Sequence, residues 1–232
     1  MASQMRPYIG VTGVTTVGEA SAVQAAFARR ALSTHELRLG IALRESTLFD
    51  DADSGRYVSG SRAAALVRVC RGRDIVHYNS EEHRPLNTQL RYLLDRVAPT
   101  ALQVNAPYNL DTLAALCVPR GVAVGVPGIP PFRPTLGTMD FVLIDESGGQ
   151  GKPLSVERAL AAHHRLAQVT SATVVFAGGL SGRTVGDVVR RLRDAIGDAF
   201  GLDAESRLRV RDHLSLPAVD EYFAAIEGAL SR

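Results

Sequence analysis

Lysine is nearly missing from this chain. Against 25 arginines there is one lysine, Lys152. A single loop lysine beside glycines argues against Schiff-base chemistry, which needs an amine at the end of a strand. Cysteine is also scarce. The two present, Cys70 and Cys117, fall in segments of helical pattern and read as buried, reduced thiols rather than a disulfide framework. No apolar run approaches membrane-spanning length, and Met1 to Arg6 has no signal-peptide stretch, so a cytoplasmic setting is the expectation. With a net charge of +2 and no basic block, neither nucleic acid nor a membrane surface is an expected partner. Metal-ligand spacings of the HExxH, CxxC or His-x-His kind are absent, and no metal or other cofactor is expected. The G-x-G-x-x-G fingerprint does not follow the first strand. Gly149-Gln-Gly151-Lys152-Pro153 is not a P-loop, because the spacing is wrong and Pro153 stands where a magnesium-binding hydroxyl belongs.

What is present is alternation. Short apolar runs at 7–12, 37–43, 74–79, 101–106, 121–126, 140–145, 172–177 and 198–203 read as strands. Helical patterns at about 18–31, 60–71, 86–98, 109–118, 154–168, 183–195 and 217–231 separate them. Ser155 and Thr184 carry N-cap chemistry. Near-continuous apolar strands alternating with amphipathic helices indicate a parallel sheet. Eight such units in 232 residues favour a single closed (β/α)8 TIM barrel of α/β class, spanning 1–232, over an open sheet. Four prolines between Pro127 and Pro134 forbid a helix there, so a loop is expected in place of the fifth helix.

In such barrels chemistry gathers where the strands end. Thr12, Arg44, Glu45, His77, Asn79, Gln103, Asn105, Asp145, Glu146 and Asp203 hold those positions. Asp145, which closes an apolar strand and runs into glycines, is the acid/base candidate; a capping or salt-bridged aspartate is the plainer reading. Gly178 and Gly179 after the seventh strand, with Ser206 and Arg207 after the eighth, suit a phosphate, or are simply tight turns. His77 reads equally well as packed or functional. His163 and His164 read as a solvent-facing helix pair.

These pieces, in this order, resemble phosphoribosylanthranilate isomerase, a tryptophan-pathway barrel. Ser54-Gly-Arg-Tyr-Val-Ser59 is similar to the family's Ser-Pro-Arg-Tyr-Val-Ser, whose arginine grips the anthranilate carboxylate. Leu143-Ile-Asp145 with Gly148-Gly-Gln-Gly-Lys152 resembles its general-acid strand and glycine loop. Phe176-Ala-Gly-Gly-Leu180 resembles its phosphate turn, and Gly201-Leu-Asp-Ala-Glu-Ser206 the end of its eighth strand. A missing fifth helix is also a family trait. The resemblance implies an enzyme for a small phosphorylated sugar-amine. It would work by acid-assisted ring opening and Amadori-type isomerisation, with Asp145 as acid. Arg56, Gln103, Asn105 and Asp203 would contact the substrate, and Gly149, Gly151, Gly178, Gly179, Ser206 and Arg207 its phosphate. Where the family has Lys-Ile-Cys-Gly on its first strand, this chain has Gly10-Val-Thr-Gly13, so Thr12 occupies the place of the catalytic cysteine. A threonine hydroxyl is a far weaker base than a thiolate, and Glu146, Glu205 or a strand-one threonine would have to substitute. A changed reaction on a related phosphorylated substrate, a non-catalytic phosphate-ligand barrel, and an unrelated epimerase or aldolase are the alternatives. Barrels of this kind occur as monomers and dimers, and the sequence does not choose.

Overall fold

The computed structural model describes residues 5–81, 83–105, 118, 120–124, 139–145 and 150–231. Eight parallel strands close a barrel in chain order: β1 (Tyr8–Thr12), β2 (Glu36–Arg44), β3 (Asp74–Asn79), β4 (Leu102–Val104), β5 (Arg120–Val124), β6 (Phe141–Asp145), β7 (Thr173–Ala177) and β8 (Gly201–Ala204). β8 returns to β1 through the Gly10–Asp203 register. The expected fold class is the observed one. β8 lies later than the pattern implied: Phe200 is buried outside the strand, and pairing begins at Gly201. The expected helix at 109–118, save Val118, and the proline-rich segment after Val124 lie outside the described residues, as do Cys117, Glu146 and Gly149.

Helices Val17–Ala28, Gly60–Cys70, Leu86–Val97, Val156–Leu166, Val185–Ile196 and Leu216–Leu230 run outside the barrel. Each presents one apolar stripe inward. In Val185–Ile196 the buried residues are Val185, Val188, Val189 and Leu192, the i, i+3, i+4, i+7 spacing of a one-faced helix. Ser59, Ser155 and Ser215 cap their helices by accepting the N–H of Arg62, Arg158 and Ala218, each such cap contributing about 1 kcal/mol. Thr184 does not cap. Its hydroxyl donates to the Gly179 carbonyl at 3.3 Å and accepts from the Ser181 N–H at 3.1 Å, so it braces the turn after β7. Cys70 ends its helix fully buried, and burial pushes its thiol up to about 12. His163 is half-buried with its ring 6.2 Å from Phe176; only His164 faces solvent, which corrects the paired solvent-face reading.

Two elements escaped the sequence pattern. Glu45–Phe49 is a helical turn directly after β2. Glu45 is fully buried, where it accepts the N–H of Glu81 and His83 and pairs with Arg84 at 3.1 Å, fastening the segment after β3. A small antiparallel pair, Arg209–Val210 with His213–Leu214, follows β8.

The interior of the barrel has two tiers. Its lower part is apolar: Tyr8, Ile75, Ala101, Phe141, Leu143 and Val175 form one buried cluster, with Tyr8 and Phe141 edge to face at 6.0 Å. Side chains two residues further along a strand point the same way. The next step up from Tyr8, Ile75 and Ala101 is therefore Gly10, His77 and Gln103, and interior character changes there from apolar to polar.

Candidate functional site

The polar tier is one connected chain of hydrogen bonds. Thr12 Oγ1 donates to Asp203 Oδ1 at 2.9 Å. His77 Nε2 lies 3.3 Å from Thr12 Oγ1, and Gln103 Nε2 lies 3.1 Å from His77 Nδ1. The Gln103 amide nitrogen also donates to Asn105 Oδ1 at 2.8 Å. An amide nitrogen only donates, so in this orientation His77 Nδ1 accepts and the ring proton sits on Nε2. That N–H then serves Thr12 Oγ1, whose own proton is left for Asp203. From Gln103 through His77 and Thr12 the donors run toward the carboxylate, while the second Gln103 N–H goes to Asn105. Burial, with the Arg56 charge second, lowers His77 to about 3 and keeps it neutral. His77 is thus a linking residue of the site. Period-two reasoning from the apolar Ile75 could have placed it inward.

Two glycines make room for this chain. A Cβ on Gly40 would fall 1.9 Å from Thr12 Oγ1 and 2.8 Å from Thr12 Cα, and one on Gly10 would fall 2.3 Å from Asp203 Oδ1. These mid-strand glycines weaken strand propensity but leave space for larger polar side chains on neighbouring strands.

Asp203 is the electrostatic outlier. It is 7% exposed. Burial raises its carboxyl to about 7, the Thr12 bond partly opposes this, and the charges of Glu205 and Asp145 add to the rise. Asp145, half-buried at the end of β6, pairs in register with Ala177, and Ala177 pairs with Asp203. The two carboxylates therefore share one row of the barrel, separated by a strand bearing only a methyl group. Two strand spacings put their Cα atoms about 10 Å apart.

The glycine turns gather beside this row. A Cβ on Gly178 (φ +115°) would lie 3.5 Å from Asp145 Oδ1. One on Gly179 (φ +57°) would lie 2.9 Å from the carbonyls of Gly151 and Lys152, and one on Gly151 (φ +65°) 2.2 Å from Ser206 Oγ. Left-handed backbone favours glycine at all three positions, and at Gly151 and Gly179 there is also no room for a side chain. Loops after β6, β7 and β8 thus meet at Gly151, Gly179 and Ser206, which is where backbone amides can face an anion. Arg207 is exposed next to them.

Arg56 reaches the same mouth from the loop after β2. Its Nη1 is 2.7 Å from Glu205 Oε1, its Nη2 donates to the Tyr57 hydroxyl at 3.1 Å, and Asn79 donates to that hydroxyl at 2.9 Å. Arg44 flanks the Tyr57 ring and donates to Ser54 at 2.7 Å. The acids of that loop are structural: Asp51 accepts from Ser61 and pairs with Arg96, while Asp53 accepts the Ser59 N–H and pairs with Arg62. The structure accordingly brings Thr12, Gln103, Asn105 and Asp203 into one cluster, Asp145 with Gly178 into a second beside it, and Gly151, Gly179 and Ser206 into a third. Among the described residues, no group of three or more His, Cys, Asp or Glu side chains is arranged to hold a metal ion, and no helix is long and apolar enough to cross a membrane.

No family model matches the chain. In sequence it is 29% identical over 123 residues to the N-(5'-phosphoribosyl)anthranilate isomerase of Methanoregula boonei, covering 53% of this chain and 56% of that protein. The match thus spans about half the length of the curated relative. In structure it is similar to TrpF from Jonesia denitrificans, at 19% identity over 97% of this chain and 98% of the other, with a TM-score of 0.69. It is similar, at 14% identity over 96% and 99% and the same TM-score of 0.69, to a phosphoribosyl anthranilate isomerase in complex with reduced 1-(O-carboxyphenylamino)-1-deoxyribulose 5-phosphate. The chain is a (β/α)8 barrel that resembles phosphoribosylanthranilate isomerases in fold over nearly its whole length, and in sequence over about half of it.

Proposed function

We propose that this protein is an isomerase that converts N-(5'-phosphoribosyl)anthranilate, or a close phosphorylated sugar-amine, from aldose to ketose. On this reading it works in tryptophan biosynthesis, in the cytoplasm. The observation that carries the proposal is the row Asp145–Ala177–Asp203 lying against the glycine loops. It offers two carboxyl groups to a sugar whose phosphate rests on Gly151, Gly178, Gly179 and Ser206, with Arg207 at the rim. The names of the similar proteins support the same reaction class.

In this scheme Asp145 gives a proton to the ribose ring oxygen. The bond from C1 to that oxygen breaks, and the nitrogen lone pair forms C1=N. A base then takes the proton from C2, the C–H electrons become C1=C2, and the C1=N pair returns to nitrogen. The enol proton at the C2 oxygen is lost and C1 gains a proton, leaving the aminoketose. Gln103 and Asn105 stand where the sugar hydroxyls pass, and Arg56 faces the aglycone. Removing a general acid typically costs about 10²–10⁴-fold in rate. Following the loss of substrate fluorescence with wild type and Asp145→Asn tests the reading. Turnover that the variant loses by that factor is expected; a wild type without turnover overturns it.

One observation favours a second reading. Arg56 is already neutralised by Glu205 at 2.7 Å. A substrate whose aglycone lacks a carboxylate would leave that pair intact. Comparing turnover of phosphoribosylamines with and without an aglycone carboxylate separates the two.

A further inference from the structure

The polar tier contains a group, Asp203, to which the resemblance gives a substrate contact but no part in proton transfer. Thr12, at the place of the family's cysteine, is fully engaged: its oxygen accepts from His77 and its proton goes to Asp203. A hydroxyl so committed, on a side chain that is 2% exposed, has no free proton-accepting capacity of useful strength. Its partner has such capacity. Asp203 projects from β8, the strand beside β1, into space that Gly10 leaves open, and it stands across Ala177 from Asp145. Thr12 fastens only one of its two oxygens.

Resting on the isomerase reading above, we propose that Asp203 is the general base that removes the proton from sugar C2, and that Thr12 is its positioning residue. The C2 proton passes to the Asp203 carboxylate, the C–H electron pair forms the enol double bond, the same carboxyl group returns the proton at C1, and the enol O–H proton goes to the Asp145 carboxylate left by ring opening. No oxidant, metal or second reactant is needed. The bonds running Gln103 to His77 to Thr12 hold the carboxylate in a single orientation. The charge balance fits this task. Burial lifts Asp203 to about 7, where a carboxylate is a stronger base than in water yet still ionised in a large fraction of molecules at neutral pH. The titratable groups facing it are Tyr8 on β1, His77 on β3, Asp145 on β6, Glu205 beyond β8, with Arg56 as its counter-charge, and Tyr222 on the last helix. His77 is neutral to about 3, and burial pushes both tyrosines well up. A limb near pH 7 therefore belongs to Asp203.

The test is the pH dependence of kcat and kcat/KM for wild type, Asp203→Asn and Thr12→Val on N-(5'-phosphoribosyl)anthranilate, with thermal melts of each. Asp203→Asn is expected to lower kcat about 10²–10⁴-fold with KM within a few-fold, and to erase the acidic limb of kcat/KM. Thr12→Val removes a donor to the carboxylate and is expected to shift that limb to higher pH, with a smaller loss of rate, which a merely structural role would not do. An Asp203→Asn variant that melts like wild type and keeps more than a tenth of its kcat, or keeps the acidic limb, overturns the assignment while leaving the isomerase reading in place. Loss of the basic limb instead makes Asp203 the acid and also overturns it. A wild type without turnover removes both.

Discussion

The lower and upper interiors of this barrel follow one another along its strands, Ile75 two residues before His77 on β3 and Tyr8 four residues before Thr12 on β1. Below, Tyr8, Ile75, Phe141, Leu143 and Val175 fill the space with hydrocarbon. Above, Thr12, His77, Gln103 and Asp203 fill it with a hydrogen-bonded chain ending on a carboxylate. The floor stabilises the fold through burial, at roughly 25 cal/mol per Å² of apolar surface. The upper tier does the opposite. It buries a carboxylate that burial penalises and gives up two strand side chains at Gly10 and Gly40. Among the described residues, Gln103 Oε1 is left buried without a partner, a cost of about 1–3 kcal/mol for such a group. A tier that costs stability while passing donors from Gln103 through His77 and Thr12 to one carboxylate is, on the proposed reading, a ligand site. The floor is what makes that tolerable.

Breaking the floor should have the largest effect on stability. Phe141→Ala removes a fully buried ring and is expected to cost about 3–5 kcal/mol, read as a fall in Tm of about 6–20 °C. Activity per folded molecule should change little, because the ring belongs to the apolar cluster below the polar tier.

Breaking the space above should cost less stability and more function. In Gly40→Ala the new methyl group meets backbone as well as the Thr12 hydroxyl, a clash worth about 1–3 kcal/mol. Thr12 must move off Asp203, so activity is expected to fall at least tenfold more than the melting temperature alone explains.

The two tiers also differ in sensitivity to pH. The folded Asp203 carboxyl lies near 7, above its ordinary 3.8, so the folded state holds the extra proton. Its contribution is most favourable below about pH 4 and is lost as pH rises through 7. Wild type should therefore lose stability relative to Asp203→Asn between pH 5 and pH 8, measured by paired urea titrations. Parallel curves would show that the carboxyl is not held up by burial.

The smallest expected effect lies at the rim. Glu205→Gln releases Arg56, whose pair is partly exposed and so worth about 1 kcal/mol or less. A carboxylate-bearing substrate should then bind up to about fivefold tighter, seen as a lower KM. An unchanged or raised KM favours a substrate without that carboxylate.

The strands were legible because their apolar runs are nearly unbroken, and Asp145 was legible because it interrupts one and precedes glycines. Asp203 was visible as a strand-end acid, but not as one whose carboxyl burial raises, since that burial and its partner Thr12, 191 residues away, come together only in the closed barrel. Gly10 and Gly40 read only as weak points in strands until the side chains they accommodate are placed beside them. The Arg56–Glu205 pair joins residues 149 apart, and no local pattern announces it. Asp51 and Asp53 brace a helix start by accepting the N–H groups of Ser61 and Ser59, and they pair with Arg96 on the following helix and with Arg62.

The most direct test of the account is a crystal structure with reduced 1-(O-carboxyphenylamino)-1-deoxyribulose 5-phosphate. The account predicts the phosphate on Gly151, Gly178, Gly179 and Ser206, and the sugar carbons between Asp145 and Asp203, with one Asp203 oxygen still held by Thr12. Density for the sugar outside that row, or a phosphate away from the glycine loops, would contradict it.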